Sequence, residues 1–289
     1  MPTARYPLYN MSGLGNAIVV ADLRARPAVL NADQVRAIAA DPRTPFDQLM
    51  VLHAPSKADI AARVSIFNAD GSRSGACGNG MRCIGLIAGT SDHGNLLFET
   101  DSGTLAVSFP TPDIISVDMG EPRFGWRDVP LRHAVEDTTA IDLLAGPLDR
   151  PVLARPSVCS MGNPHAVFWV VDVDQVDLES YGAQLETHEI FPERANISVA
   201  QVIAEDHARI RTWERGVGIT GACGSAACAV LACGVRTSRL ARSATIAVPG
   251  GDLQVHWTAA NSVIMSGPAE LVSQGELILT EDGRVGIEI

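Results

Sequence analysis

Two cysteines of this chain stand in the same frame. Gly75-Ala76-Cys77-Gly78 and Gly221-Ala222-Cys223-Gly224 repeat the tetrapeptide GACG, 146 positions apart in 289 residues, and each copy opens into a run of small and apolar residues. A cysteine followed by glycine and a small polar residue at a helix start lies beside backbone N–H groups that no preceding carbonyl satisfies, at the positive end of the helix dipole. That position favours a thiolate and predicts a thiol pKa below its free value of about 8.5. The same N–H groups form an anion site that suits a substrate carboxylate. A thiolate and a thiol on opposite faces of the carbon bearing that carboxylate are a matched base and acid. One removes the α-proton, the other delivers a proton to the far face, and the centre inverts.

The remaining four cysteines read differently. Cys83, Cys228 and Cys233 fall inside the apolar segments that follow the two motifs, and they and Cys159 are expected to be core thiols. Their spacings include none of the C-x2-C pairs of structural zinc sites, so no metal is expected. Lys57 is the single lysine in the chain. It would have to carry pyridoxal phosphate, the usual aid to α-proton removal, yet no glycine-rich phosphate cradle lies near it, and no cofactor is expected. Stabilisation of the carbanion then rests on helix-terminal N–H groups aimed at the carboxylate. The stretch GLGNAI has Ile18 where a dinucleotide-binding loop needs glycine, and is set aside. His165 reads as a packed, hydrogen-bonded histidine and is left out of the catalytic set.

Other polar landmarks keep the spacing of the two cysteines. Asn16 pairs with Asn163 at an offset of 147, Gln48 with Asn196 at 148 and Asn68 with Glu214 at 146. Landmarks in the same order at nearly one offset predict duplication and two lobes related by a pseudo-two-fold axis, which would make Cys77 and Cys223 face one another across a cleft. Short β-rich runs dominate both halves, NAIVVADL to IISVDM in the first and HAVFWVVDV to SVIMSG in the second, and read as antiparallel strands. Helices are expected over NADQVRAIAAD, capped by Asn31 or Asp33, and over the two segments after the cysteines. GSAACAVLACGV is apolar nearly all round, as a helix buried on every side must be. The fold class expected is α+β, with two pseudo-symmetric lobes, each a mostly antiparallel β-sheet wrapped around a central helix. The lobes are placed at 1–122, completed by 268–289, and at 123–267.

Composition narrows the partners. Hydrophobic residues make up 46% and charged residues 19%, a globular balance, and the formal net charge of −11 repels nucleic acid and anionic membrane surfaces. The N-terminus lacks the apolar region of a secretory signal and no apolar run reaches the roughly 18 residues of a membrane span, so a cytoplasmic protein is expected.

Together GLGN, FDQ, FNADGS, ACGNGMRC, MGNPH, PERANI, ERGVG, TGACGSAAC and MSGP resemble the diaminopimelate epimerase family over essentially the whole chain. The resemblance implies a cofactor-independent isomerase that interconverts LL- and meso-2,6-diaminopimelate in lysine and peptidoglycan precursor synthesis, acting as a homodimer. It makes Cys77 and Cys223 the acid/base pair and makes Asn16, Gln48, Asn68, Asn163, Asn196, Glu214 and Arg215 substrate-binding. It also assigns Gly78, Asn79, Gly224 and Ser225 to the reacting carboxylate. A planar guanidinium at Arg215 suits the distal carboxylate, and Glu214 the distal ammonium. Ala17, Ile219 and Ala226 depart from the family pattern, and the tail TEDGRVGIEI extends beyond its usual end. The alternatives are a proline or hydroxyproline racemase of the same two-cysteine fold, a thiol redox or metal-binding protein, and a binding module without catalysis.

Overall fold

The structure is a computed structural model that describes residues 3–75, 77–89, 94–111, 113–147 and 149–289; Ala76 of the first GACG lies outside them. The chain divides into two compact units, residues 1–117 with 267–289, and residues 118–266.

The first unit runs β1 (Thr3–Gly13), β2 (Asn16–Asp22), α1 (Ala32–Ala39), β3 (Gln48–His53), β4 (Ala62–Asn68), α2 (Gly78–Ala88), β5 (Leu96–Thr100), β6 (Gly103–Thr111) and β7 (Ile114–Asp118). Adjacent strands pair in that order. β2–β3 and β4–β5 are parallel and the other pairs antiparallel. The parallel pairs depart from the antiparallel reading of the sequence, and the cause is the connections: α1 and α2 carry the chain back to the same end of the sheet before the next strand starts. Alternate residues of β2 and β3 face opposite ways. Val19, Ala21, Leu49 and Val51 join Val35 and Ile38 of α1 in one core, while Met50 lies against Gly80 of α2 on the other face. α1 begins as expected, with Asn31 accepting from the Gln34 N–H and the Gln34 side chain accepting in return.

The second unit holds a small hairpin of β8 (Leu144–Ala145) and β9 (Leu153–Ala154). Its main sheet comprises β10 (Ser157–Ser160), β11 (Pro164–Trp169), β12 (Asn196–Ala204), β13 (His207–Glu214), β15 (Ser243–Val248), β16 (Gly251–Trp257) and β17 (Val263–Gly267). The short β14 (Gly218–Ile219) pairs with the end of β13. α3 (Leu178–Glu186) connects β11 to β12 and α4 (Gly224–Arg236) connects β13 to β15, and both of those pairs are again parallel. The two units therefore repeat one succession of strands, helices and pairing senses. Even the register repeats: Leu49 faces Phe67 and Ile197 faces Trp213, each pair one step inside the polar positions Gln48, Asn68, Asn196 and Glu214.

α4 is the buried helix that its sequence demands. Ala226 to Gly234 are all buried, and the helix packs against β10, β11, β12, β15 and β16. α3 was not legible as a helix, because Gly182 and the polar residues around it dilute its apolar face. Its cap is nonetheless ordinary: Asp177 accepts from the Ser180 N–H.

The C-terminal segment returns to the first unit. β18 (Glu270–Thr280) pairs antiparallel with nearly all of β1, and the tail without a sequence-level account forms β19 (Val285–Glu288) against β18. Leu277 and Ile287 complete the core beneath α1, and Arg5 reaches both Glu276 and Glu288 on the outer surface. Arg82, in ACGNGMRC, is fully buried in α2 and donates through Nε to the Pro268 carbonyl at 3.1 Å, which ties the central helix to the returning segment. Among the described residues no helix is long and apolar enough to cross a membrane.

Candidate active site

In the first unit the β2 and β3 starts, the β4 end and the α2 N-terminus carry the predicted residues. Asn16 opens β2, is 7% exposed, and donates through Nδ2 to Asp47 Oδ2 at 2.7 Å. The same carboxylate accepts the Ala17 N–H at 2.8 Å, and the Asp47 N–H returns to the Ala17 carbonyl. Asp47 thus fixes the Asn16 amide with its carbonyl oxygen free of that contact, a role the sequence reading missed although FDQ contains it. Gln48 and Asn68 are direct cross-strand partners. Asn68 is held in a turn, donating through Nδ2 to Ser72 Oγ at 3.0 Å.

Cys77 is the N-cap of α2, with its sulfur accepting the Gly80 N–H at 3.1 Å. Gly78 and Asn79 form the first turn and are buried. A Cβ at Gly80 would fall 2.6 Å from Met50 Sδ and 3.1 Å from Cys77 Sγ, so glycine there lets the helix start close over β3 without displacing the thiol.

In the second unit Cys223 is the N-cap of α4, followed by Gly224 and Ser225. Its sulfur lies 3.6 Å from Ser225 Oγ, and Asn163 Nδ2 donates to that hydroxyl at 3.4 Å. Asn163 is oriented in turn by His165, whose Nε2 is 2.8 Å from Asn163 Oδ1. Asn196 donates to the Pro164 carbonyl and accepts the Arg215 N–H, each at 3.0 Å. Glu214 accepts from Thr220 Oγ1, another contact invisible in the sequence. Asn163, Asn196, Glu214, Arg215, Cys223, Gly224 and Ser225 are therefore brought together within one unit, as Asn16, Gln48, Asn68, Cys77, Gly78 and Asn79 are within the other.

The electrostatics correct one expectation. Cys223 does not have the lowered pKa that its helix start predicts; burial pushes the thiol well above its usual range, and the Glu214 carboxylate raises it further. Desolvation and a neighbouring negative charge both disfavour the thiolate, and together they outweigh the helix N-terminus. The core thiols behave as inert groups: burial pushes Cys83 up to about 12, and Cys159 is raised by its contact with Cys233 and by burial. Among the described residues no group of three His, Cys, Asp or Glu is placed to hold a metal ion.

His165 is wholly buried, and desolvation, with the Arg215 guanidinium adding to it, pulls its pKa down to about 3. It is neutral in the folded protein, and because Asn163 Oδ1 can only accept, Nε2 carries the hydrogen and donates to it. An unfolded histidine titrates near 6.5, so between about 6.5 and 3 the unfolded chain binds the extra proton. The His165 contribution is thus complete above pH 6.5 and is lost as pH falls towards 3, by up to about 1.4 kcal/mol per pH unit. Urea denaturation at pH 7, 6 and 5 is expected to show the stability gap between wild type and His165→Gln closing as pH falls. A gap that stays constant would contradict this.

The fold and then the sequence place the protein. A hydroxyproline epimerase from Agrobacterium vitis superposes with a TM-score of 0.69 at 15% identity, covering 96% of this chain and 93% of that one. A PhzF-family phenazine biosynthesis protein from Enterococcus faecalis superposes with a TM-score of 0.63 at 16% identity, covering 94% and 99%. The fold is the α+β fold of proline racemase-like and PhzF-family proteins. Residues 8–125 and 157–272 match the family described as diaminopimelate epimerase, one segment for each half of the repeat. Diaminopimelate epimerases of Rhodopseudomonas palustris and Afipia carboxidovorans are 51% and 50% identical to the chain; the first match covers 92% of both chains, the second 94% of this one and 95% of that one. The chain belongs to the diaminopimelate epimerase family.

Proposed function

We propose that the protein interconverts LL- and meso-2,6-diaminopimelate by two-base proton exchange at one α-carbon, with Cys77 and Cys223 serving its two faces. The observation that carries this reading is that both cysteines cap helices at equivalent points of a repeated topology. Their surroundings differ in a way that suits opposite protonation states. Both sulfurs are buried, but the Cys77 sulfur accepts a helix N–H, which favours a thiolate, whereas the Glu214 carboxylate beside Cys223 favours its thiol. In the resting protein Cys77 is then the base. It takes the α-proton while the Cys223 thiol gives its own proton to the opposite face, leaving the two sulfurs with exchanged roles for the reverse reaction.

The reacting carboxylate docks on the N–H groups of Gly78, Asn79, Gly224 and Ser225, where the helix termini offset the charge that develops on deprotonation. Arg215 grips the distal carboxylate, Glu214 pairs with the distal ammonium, and the amides of Asn16, Gln48, Asn68, Asn163 and Asn196 complete the recognition. A cyclic imino acid lacks that distal group and would make neither of the substrate contacts proposed for Glu214 and Arg215, which disfavours the racemase alternative. In this reading the protein works without a cofactor, in the cytoplasm and as a homodimer. Dialysed protein incubated with LL-diaminopimelate under reducing conditions is expected to yield the meso isomer. Failure of folded protein to do so, together with turnover of proline or hydroxyproline, would transfer the assignment to the racemases.

A further inference from the structure

We infer that Glu186 is a positioning residue that sets the Arg215 turn, and through it the grip on the distal end of the substrate. The inference rests on the substrate-binding role proposed above for Glu214 and Arg215. Glu186 closes α3, outside every motif that carries the family resemblance, and only 5% of its surface is exposed. A buried carboxylate is costly unless its oxygens are bonded. Here Oε2 accepts the Trp213 indole N–H at 2.7 Å, and Oε1 accepts the Gly216 N–H at 2.8 Å and Arg194 Nη1 at 3.4 Å.

These partners bracket the candidate binding residues. Trp213 and Gly216 flank Glu214 and Arg215 in sequence, on an exposed turn that Gly216 enters with φ +76°. Arg194 belongs to the loop leading to Asn196, and the Glu186 backbone carbonyl also accepts the Ala195 N–H of that loop at 3.3 Å. Asn196 Oδ1 then accepts the Arg215 N–H. One buried anion therefore holds both ends of the turn and the loop that supports it. Without it, the exposed turn would lose both of its bonds to α3 and rest on its pairing with β14 and on the Arg215 contacts with Asn196 and Glu193.

Glutamine tests the charge and the bonding without changing shape. An amide offers one acceptor oxygen in place of two, so its NH2 must face either the Trp213 N–H or the Gly216 N–H, and a donor meets a donor. Loss of a charge-assisted bond at this site is expected to raise KM for LL-diaminopimelate about tenfold in Glu186→Gln. The proton-transfer groups are untouched, so kcat is expected to fall by less than about threefold. A purely structural residue would instead lower the melting temperature and the active fraction with KM unchanged.

Steady-state kinetics of wild type, Glu186→Gln and Glu186→Asp, with melting temperatures, decides between these. Aspartate keeps the charge but withdraws it by one methylene from Gly216, so a smaller rise, still in KM, is expected; this variant carries the test if the glutamine variant does not fold. An unchanged KM in a folded variant, or a fall confined to kcat, overturns the inference while leaving the epimerase reading intact. A wild-type protein inactive on diaminopimelate removes that reading, and this inference with it.

Discussion

Serine at position 77 or at position 223 is expected to lower kcat for diaminopimelate epimerisation by at least about a thousandfold, the upper range for loss of a general acid or base, while leaving the fold intact. A hydroxyl is too weak an acid to share a proton in the way the thiol pair does, so each variant lacks one half of the exchange. Stability should move the other way. Both cysteines are helix N-caps, and serine is among the preferred residues there. At position 77 its oxygen inherits the Gly80 N–H now bonded to sulfur. Wild-type or higher melting temperatures with activity lost in both variants are the expected pattern, read by thermal denaturation beside a stereospecific assay. Substantial activity in either variant would show that its cysteine is only a cap.

The second large effect is expected at Arg215. Replacement by lysine keeps the charge but removes the planar fork that can hold a carboxylate through two parallel bonds. KM for diaminopimelate is expected to rise about ten- to a hundredfold, the range that corresponds to losing a hydrogen bond to a charged group. The backbone contact of Arg215 with Asn196 survives the change, since it uses the main-chain N–H; the side-chain bond from Nη1 to the Glu193 carbonyl does not. Calorimetric titration of the catalytically silent Cys77→Ser protein, with and without Arg215→Lys, separates affinity from chemistry. Equal affinities would remove Arg215 from the recognition of the distal group.

The duplicated motifs made much of this visible in the sequence. The GACG frames located both central helices to within a residue of their observed starts, and the matched offsets of Gln48, Asn68, Asn196 and Glu214 anticipated a register that the strands do repeat. Strand direction was less legible, because alternation reports which face a residue occupies and not which way its neighbour runs; the parallel pairs follow from helices lying between the strands. β1, β18 and β19 were not read as strands; the β1–β18 pairing joins residues more than 250 positions apart, which no local pattern marks.

At the site, residue types foretold the groups that face a ligand and not those that support them. Asp47 and Glu186 carry ordinary acidic side chains, and only the folded chain shows amide and indole N–H groups converging on them. The protonation state of Cys223 was unreadable for the same reason. A helix start argues for a thiolate, and the burial and the Glu214 carboxylate that reverse that preference are properties of the tertiary structure.

The most direct test of the central claim is proton exchange at the α-carbon in D2O, with LL-diaminopimelate, reductant, and dialysed protein to which no cofactor is added. Two-base inversion predicts meso product carrying solvent deuterium at the inverted centre from its first appearance, while unreacted LL substrate remains largely protiated at early times, and the deuterated meso product should vanish in Cys77→Ser and Cys223→Ser. Meso product that retains the substrate proton, or inversion that persists undiminished in either folded serine variant, would contradict a mechanism in which the two cysteines act as the acid and the base.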